Sequence, residues 1–299
     1  MEKGIDSLIK LALKEDIGKK DLTTEFLIPR DKKVKANIIA KENGVIAGLK
    51  VAEKVFKICN MQYGIWNTGN GIKFRRKIKD GEKVKKGLVV AEISGPARTI
   101  LTAERVALNF LQHLSGIATL TRKYVDALVP RPSSHFPLPK IYDTRKTTPL
   151  WRELEKYAVR CGGGYNHRMN LGEMVLIKDN HLRIIKNSKF KIKNLRKELP
   201  RNIKIEMEAQ NLEQVRQALN AGVDIIMLDN MLFPEIKKAI KMIRKTQNAK
   251  RKTKPGIEIS GGVNLKNIKK IAQLGVERIS VGEITHSAPA LDISLEIRR

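Results

Sequence analysis

IKIEMEAQNLEQVRQALNAGVDIIMLDNMLFPEIKKAIKMIRK (203–245) decides the fold class. Two short apolar runs, IKIEMEA (203–209) and DIIMLDN (224–230), alternate with LEQVRQALNAG (212–222) and FPEIKKAIKMIRK (233–245). In the latter two, apolar residues recur every three or four positions, which is the spacing of an amphipathic helix. Strand, helix, strand, helix reads as parallel βα units. The rhythm continues on both sides. IYDT (141–144) and MVLIKD (174–179) precede it, and IEISGG (257–262), LKNIKKIAQLG (265–275) and RISVGE (278–283) follow. No Gly-x-Gly-x-x-Gly follows the first run, so a dinucleotide-binding sheet is disfavoured and a (β/α) barrel or a relative of one fits better.

Upstream the pattern is different. Residues 1 to about 115 carry the strand-like runs VKANIIA (34–40), IKFRRKI (72–78) and LVVAEIS (88–94), and GVIAGLKVAEKVFKIC (44–59) has helical spacing. DGEKVKKG (80–87) reads as a hairpin-like turn. Residues 97–128 form a long helical stretch that Gly116 is expected to interrupt, and the Pro- and Ser-rich VPRPSSHFPLPK (129–140) is a surface excursion.

The whole chain has 299 residues, 41% hydrophobic and 30% charged, enough for one large or two ordinary folded domains. No apolar stretch approaches the ~20 residues that span a bilayer, and the first thirty residues lack the pattern of a signal peptide. Cys59 and Cys161 form neither a disulfide framework nor a zinc site, and the five His show no ligand spacing. A cytoplasmic location is expected. The net charge of +28 attracts polyanions. A Lys-, Ile- and Asn-rich composition of the kind a biased genome produces explains most of that charge as solvated surface.

In parallel α/β folds the C-terminal ends of the strands carry the chemistry. Here those ends are Asp143, Arg145 and Lys146; Lys178 and Asp179; Glu206 and Glu208; Asp229 and Asn230; Ser260, Gly261 and Gly262; and Gly282. They fall into three zones. Arg145, Lys146, Arg168 and Lys178, with His167 alongside, are cationic and suit carboxylates or phosphates. Glu208 and Asp229 suit sugar hydroxyls or a hydrated Mg2+; charge balance against the nearby cations is the less favoured alternative. Glu206, two residues before Glu208, is expected to point the same way. ISGG (259–262) and SVGE (280–283) place Gly where backbone N–H groups approach a phosphate. A Schiff-base role for Lys146 or Lys178 fits poorly, because neither has an apolar setting.

Several long motifs resemble the quinolinate phosphoribosyltransferase family. They are ALKEDIGKKDLTTEFLIP (12–29), AERVALNFLQHLSGIAT (103–119), DTRKTTP (143–149), LEKYAVRCGGGYNHR (154–168), VLIKDNH (175–181), DIIMLDNM (224–231), EISGGV (258–263) and ISVGEITHSAPALDISLEI (279–297). The resemblance covers nearly the whole chain. It implies an α/β fold with an N-terminal α/β sandwich domain over 1–115, joined by the C-terminal segment 287–299, and an incomplete (β/α) barrel domain over 116–286. It also implies an enzyme that joins quinolinate to phosphoribosyl pyrophosphate with loss of CO2, requires Mg2+ and works as a homodimer. By resemblance, Arg105, Thr144, Arg145, His167 and Arg168 bind quinolinate, with Arg105 donated to the partner's site. Lys146 and Lys178 neutralise substrate and leaving-group charge, and with Glu208 and Asp229 they form the catalytic set. Glu208 and Asp229 hold the ribose hydroxyls and Mg2+, and Ser260, Gly261, Gly262, Gly282 and His286 cradle the 5′-phosphate. Lys20, Leu150, Trp151 and Asn170 depart from the family pattern, Lys20, Leu150 and Asn170 at positions where Gly is expected. Glu283 is expected to face away from the phosphate. Two other readings are a molybdenum-transport-associated paralogue with another phosphoribosyl acceptor and a basic nucleic-acid-binding protein; for the latter the sequence shows no reader motif.

Overall fold

The chain opens with two helices, α1 (Glu2–Ile17) and α2 (Leu22–Leu27), the second capped by Asp21, whose side chain accepts from the Thr24 N–H. Then come β1 (Lys33–Ala40), β2 (Gly44–Val45), α3 (Leu49–Tyr63), β3 (Lys73–Arg76), β4 (Lys83–Val84), β5 (Val89–Pro96) and α4 (Ala97–Asp126). The remaining elements are β6 (Lys140–Tyr142), α5 (Arg152–Cys161), β7 (Val175–Ile177), α6 (Asp179–Ile184), α7 (Ser188–Glu198), β8 (Ile205–Ala209), α8 (Leu212–Ala221), β9 (Ile225–Asp229), α9 (Phe233–Lys245), β10 (Gly256–Ser260), α10 (Ile268–Ala272), β11 (Arg278–Ser280), α11 (Glu283–His286) and β12 (Ile293–Ile297). The computed structural model describes residues 2–63, 71–128, 137–185, 188–246 and 254–298. Most of the expected 129–140 excursion lies outside them.

One compact unit comprises Met1–Arg122, Thr147–Gly163 and Ser287–Arg299. Its main sheet is antiparallel in the order β12-β1-β5-β3. Ala36, Ile38 and Ala40 alternate inward along β1, as a strand with one covered face requires. α3 buries Val51, Ala52, Val55, Phe56 and Cys59 along one stripe, and the Phe56 ring lies 6.0 Å from that of Phe74 on β3. The helix starts at Leu49 rather than Gly44, because Gly44–Val45 pairs with β4. That pairing also replaces the expected simple hairpin at 80–87. Gly116 does not interrupt α4, which is continuous over 30 residues. It sits where a Cβ would overlap the Pro289 carbonyl oxygen, so it serves close packing.

The other unit comprises Lys123–Lys146 and Gly164–His286. Its six strands are all parallel in the order β6-β11-β10-β9-β8-β7. The first strand in sequence therefore pairs with the last, and β6 and β7 leave one seam open. Tyr165 pairs alongside Tyr142 at that seam. This is the incomplete barrel that the family resemblance implied. α9 buries Ile236, Ala239, Ile240 and Ile243, and α8 is capped by Asn211, whose side chain accepts from the Gln214 N–H.

The expected boundary at residues 115 and 116 falls inside α4, and by compactness the first unit continues along that helix to Arg122. Thr147–Gly163 also leaves the expected 116–286 domain and joins the first unit, where Trp151 stacks on Phe110 at 4.4 Å and Glu155 meets His113 at 2.8 Å.

Candidate active site

The sheet of the second unit brings the expected residues to one rim because parallel strands end on the same side. Thr144, Arg145 and Lys146 follow β6; Lys178 follows β7; Glu208 and Asp229 close β8 and β9; Ser260, Gly261 and Gly262 end β10; and Gly282 and His286 follow β11. Arg168 reaches this set from the 164–174 loop. Arg105 alone lies in the first unit, exposed on α4.

The two guanidiniums form the cationic pole. Arg168 is 9% exposed and donates from Nη1 to the Met174 carbonyl at 3.0 Å, while its buried Nε has no hydrogen-bond partner among the described residues. Burial, and then the charge of Arg145 beside it, hold Arg168 below the ordinary guanidinium range. Two like charges held side by side make a site for an anion.

Opposite them is an acidic pole. Glu208 is nearly buried and pairs with Lys178 at 3.1 Å. Burial raises its carboxyl, the Lys178 hydrogen bond lowers it, and the Asp229 charge raises it again. Asn230, in the left-handed region at φ 53, donates from Nδ2 to Asp229 Oδ2 at 2.9 Å. Hard oxygen donors on adjacent strands suit Mg2+.

The Gly-bearing loops meet the cations. A Cβ on Gly282 would lie 3.2 Å from the His286 ring and 3.3 Å from Lys146 Cδ, so Gly282, His286 and Lys146 converge closely and a larger residue would push the two side chains back. The Lys146 N–H donates to Thr144 Oγ1 at 3.1 Å, and Thr285 Oγ1 donates to the Lys146 carbonyl at 2.8 Å. Glu283 faces away from these loops and accepts from the Tyr124 hydroxyl.

Two expected positions look inward instead. Asp143 is fully buried and accepts from the His167 N–H at 2.9 Å. His167 is 7% exposed; its Nδ1 accepts from the Arg168 N–H at 2.8 Å, and its Nε2 lies 3.1 Å from Glu206 and 3.5 Å from Glu258. Burial pushes Glu206 and Glu258 up, to about 7 each. Glu258, Arg278 and Ser280 were not singled out from the sequence. The signal for Glu258 and Arg278 was a charged residue at an apolar run, and Ser280 opens the SVGE motif.

Profiles of known families match both parts of the chain. The N-terminal domain of quinolinate phosphoribosyl transferase matches residues 21–115, and the C-terminal domain matches residues 117–296. The chain belongs to the quinolinate phosphoribosyl transferase family. It is 40% identical over 295 residues to a Synechocystis protein named "Probable nicotinate-nucleotide pyrophosphorylase", carboxylating, covering 99% of this chain and 93% of that one. The crystal structure of the Ehrlichia chaffeensis nicotinate-nucleotide pyrophosphorylase superposes with a TM-score of 0.86 at 40% identity, covering all of both chains. NadC from Streptococcus pyogenes gives 0.84 at 40% identity, covering 99% of this chain and 97% of that one. Family membership makes the chain an enzyme of the pentosyl-transfer type and does not favour the paralogue or nucleic-acid readings. No described helix is long and apolar enough to cross a membrane.

Proposed function

We propose that this enzyme transfers the phosphoribosyl group of phosphoribosyl pyrophosphate to the ring nitrogen of quinolinate, releasing CO2, pyrophosphate and nicotinate mononucleotide. The observation that carries this is that Arg145 and Arg168 share one rim with Glu208 and Asp229, with Arg168 close enough to feel the charges of Arg145 and Glu208. An aromatic dicarboxylate meets the guanidiniums, and ribose hydroxyls meet the carboxylates. The names of the relatives point the same way.

The residues divide the work. Arg145 and Arg168 hold the acceptor carboxylates, joined by Arg105 of the partner subunit in a homodimer; the exposure of Arg105 and its place in the first unit support that role. Lys146 and Lys178 stabilise the oxygens of the departing pyrophosphate. Ser260, Gly261, Gly262, Gly282 and His286 surround the 5′-phosphate. Glu208 and Asp229 orient the ribose, and would hold a hydrated Mg2+ that supplies positive charge against pyrophosphate. The pyridine nitrogen bonds to the ribose carbon as the bond to pyrophosphate breaks. The resulting ring cation stabilises the electron pair left when the adjacent carboxylate departs as CO2, and a proton from water replaces that carboxylate. The protein contributes position and a preset field. A cytoplasmic location is part of this reading and accords with two free cysteines.

The test is an assay with quinolinate, phosphoribosyl pyrophosphate and Mg2+, following CO2 and nicotinate mononucleotide. Nicotinate, with one carboxylate fewer, is expected to be used one to two decades less well, from the roughly 1.5–3 kcal/mol of a charge-assisted contact. Comparable turnover of nicotinate sinks the proposal.

A further inference from the structure

We propose that His167 is a positioning residue for Arg168, anchored from below by Glu206 and Glu258, and not itself a ligand of the acceptor. The inference rests on the reading of Arg168 as a clamp for an acceptor carboxylate. Every polar group of His167 named here is turned toward protein. Its N–H donates to Asp143 Oδ1 at 2.9 Å, and its Nδ1 accepts the Arg168 N–H at 2.8 Å. An accepting Nδ1 carries no proton, so in the neutral ring the proton sits on Nε2. That nitrogen lies 3.1 Å from Glu206 Oε2 and 3.5 Å from Glu258 Oε1, and both carboxyl groups are fully buried.

The anchors are themselves fixed. Arg278 pairs with Glu258 at 2.5 Å and lies over the Tyr142 ring at 4.0 Å, and the Ser280 hydroxyl donates to Glu258. The imidazole thus sits on the loop bearing Arg168 with Nε2 within 3.1 and 3.5 Å of carboxyl oxygens on β8 and β10, and the Met174 carbonyl fixes one arm of that guanidinium at 3.0 Å. His167, Glu206 and Glu258 present donor atoms all within 4.8 Å of one another, as metal ligands do. Against a cation there, Arg278 and Ser280 already engage the oxygens of Glu258, and the Arg278 charge offsets that of Glu258.

The test separates quinolinate KM from phosphoribosyl pyrophosphate KM. Glu206→Leu is expected to raise the first about tenfold and leave the second within about twofold. Glu206→Gln, which keeps an acceptor, recovers most of the loss. If Glu206→Leu does not fold, Ser280→Ala loosens Glu258 more gently and raises quinolinate KM about threefold. In the free enzyme, 15N NMR of the imidazole should show the Nε2-protonated tautomer, unchanged when quinolinate binds. A new protonation state or tautomer on quinolinate binding overturns the proposal, as do equal shifts in both KM values. Stoichiometric tightly bound metal that is lost in Glu258→Gln also overturns it. Failure of the wild type to use quinolinate instead defeats the proposed function, and the tautomer measurement still reports on the anchor.

Discussion

Leu150 sits at φ 68 with its side chain 84% exposed, at a position where the family pattern places Gly. A left-handed conformation costs a residue with a Cβ roughly 1–2 kcal/mol, and an exposed Leu gains little packing in return. Leu150→Gly is therefore expected to stabilise the protein by about 0.5–1 kcal/mol after the added flexibility of the unfolded chain is subtracted, read as a higher midpoint in urea. Asn170, another position where Gly was expected, has no positive φ; its side chain accepts from the Gly172 N–H at 2.8 Å and so closes a turn of its own. Asp229 separates charge balance from catalysis. If it only balanced nearby cations, Asp229→Asn would tighten an anionic substrate; in the proposed role it lowers turnover and raises the Mg2+ requirement while quinolinate binding changes little. Steady-state titrations of Mg2+ and quinolinate distinguish the two. Glu258 gives a pH signature. Burial, and next the Glu206 charge, raise its folded-state value from 4.5 to about 7. The folded state thus binds this proton more tightly than the unfolded chain, a contribution present below about 4.5 and lost as pH rises through about 7. The stability of the wild type relative to Glu258→Gln should fall between pH 5 and pH 8, by thermal melting at each pH; a rise contradicts the assignment.

At the scale of elements, α4 shows two local rules in conflict. Helix propensity alone makes Gly116→Ala stabilising by about 1 kcal/mol. The Cβ would overlap the Pro289 carbonyl, and relieving an overpacked contact costs about 1–3 kcal/mol. Net destabilisation is expected, with a lowered melting temperature; a stabilised variant would show that the 289–290 segment yields freely. The same conflict marks the limit of what the sequence reveals. The parallel strands were legible because a run such as IEMEA, buried at every position, alternates with helices whose stripes and caps are local. The rim was legible because each strand ends in a polar residue or Gly. The inward turn of His167 was not, since it depends on Glu206 and Glu258, on two strands far apart in sequence. Nor was the unbroken course of α4 through Gly116, which is set by a segment more than 170 residues away. Periodicity reports the face that an element buries, not the backbone that lies against it.

At the scale of the molecule, a homodimer in which Arg105 serves the partner's rim makes a strong demand. Arg105→Ala should be folded and nearly inactive, and so should Lys146→Ala. Mixing the two under conditions of subunit exchange should restore activity to at most about a quarter of wild type, since only one of the two sites in a mixed dimer is intact. Demonstrated exchange without recovery counts against a shared site. The antiparallel pairing of β1 with β12 has a different consequence, one for biosynthesis. Lys41 at the end of β1 pairs with Glu296, 255 positions later. While the ribosome makes the intervening barrel, β1 is covered by β5 on one side and has an unsatisfied edge on the other. A bare strand edge invites another chain, so the nascent protein carries its greatest aggregation risk when its barrel is nearly complete, and an early-binding chaperone would guard the first sheet rather than the catalytic rim.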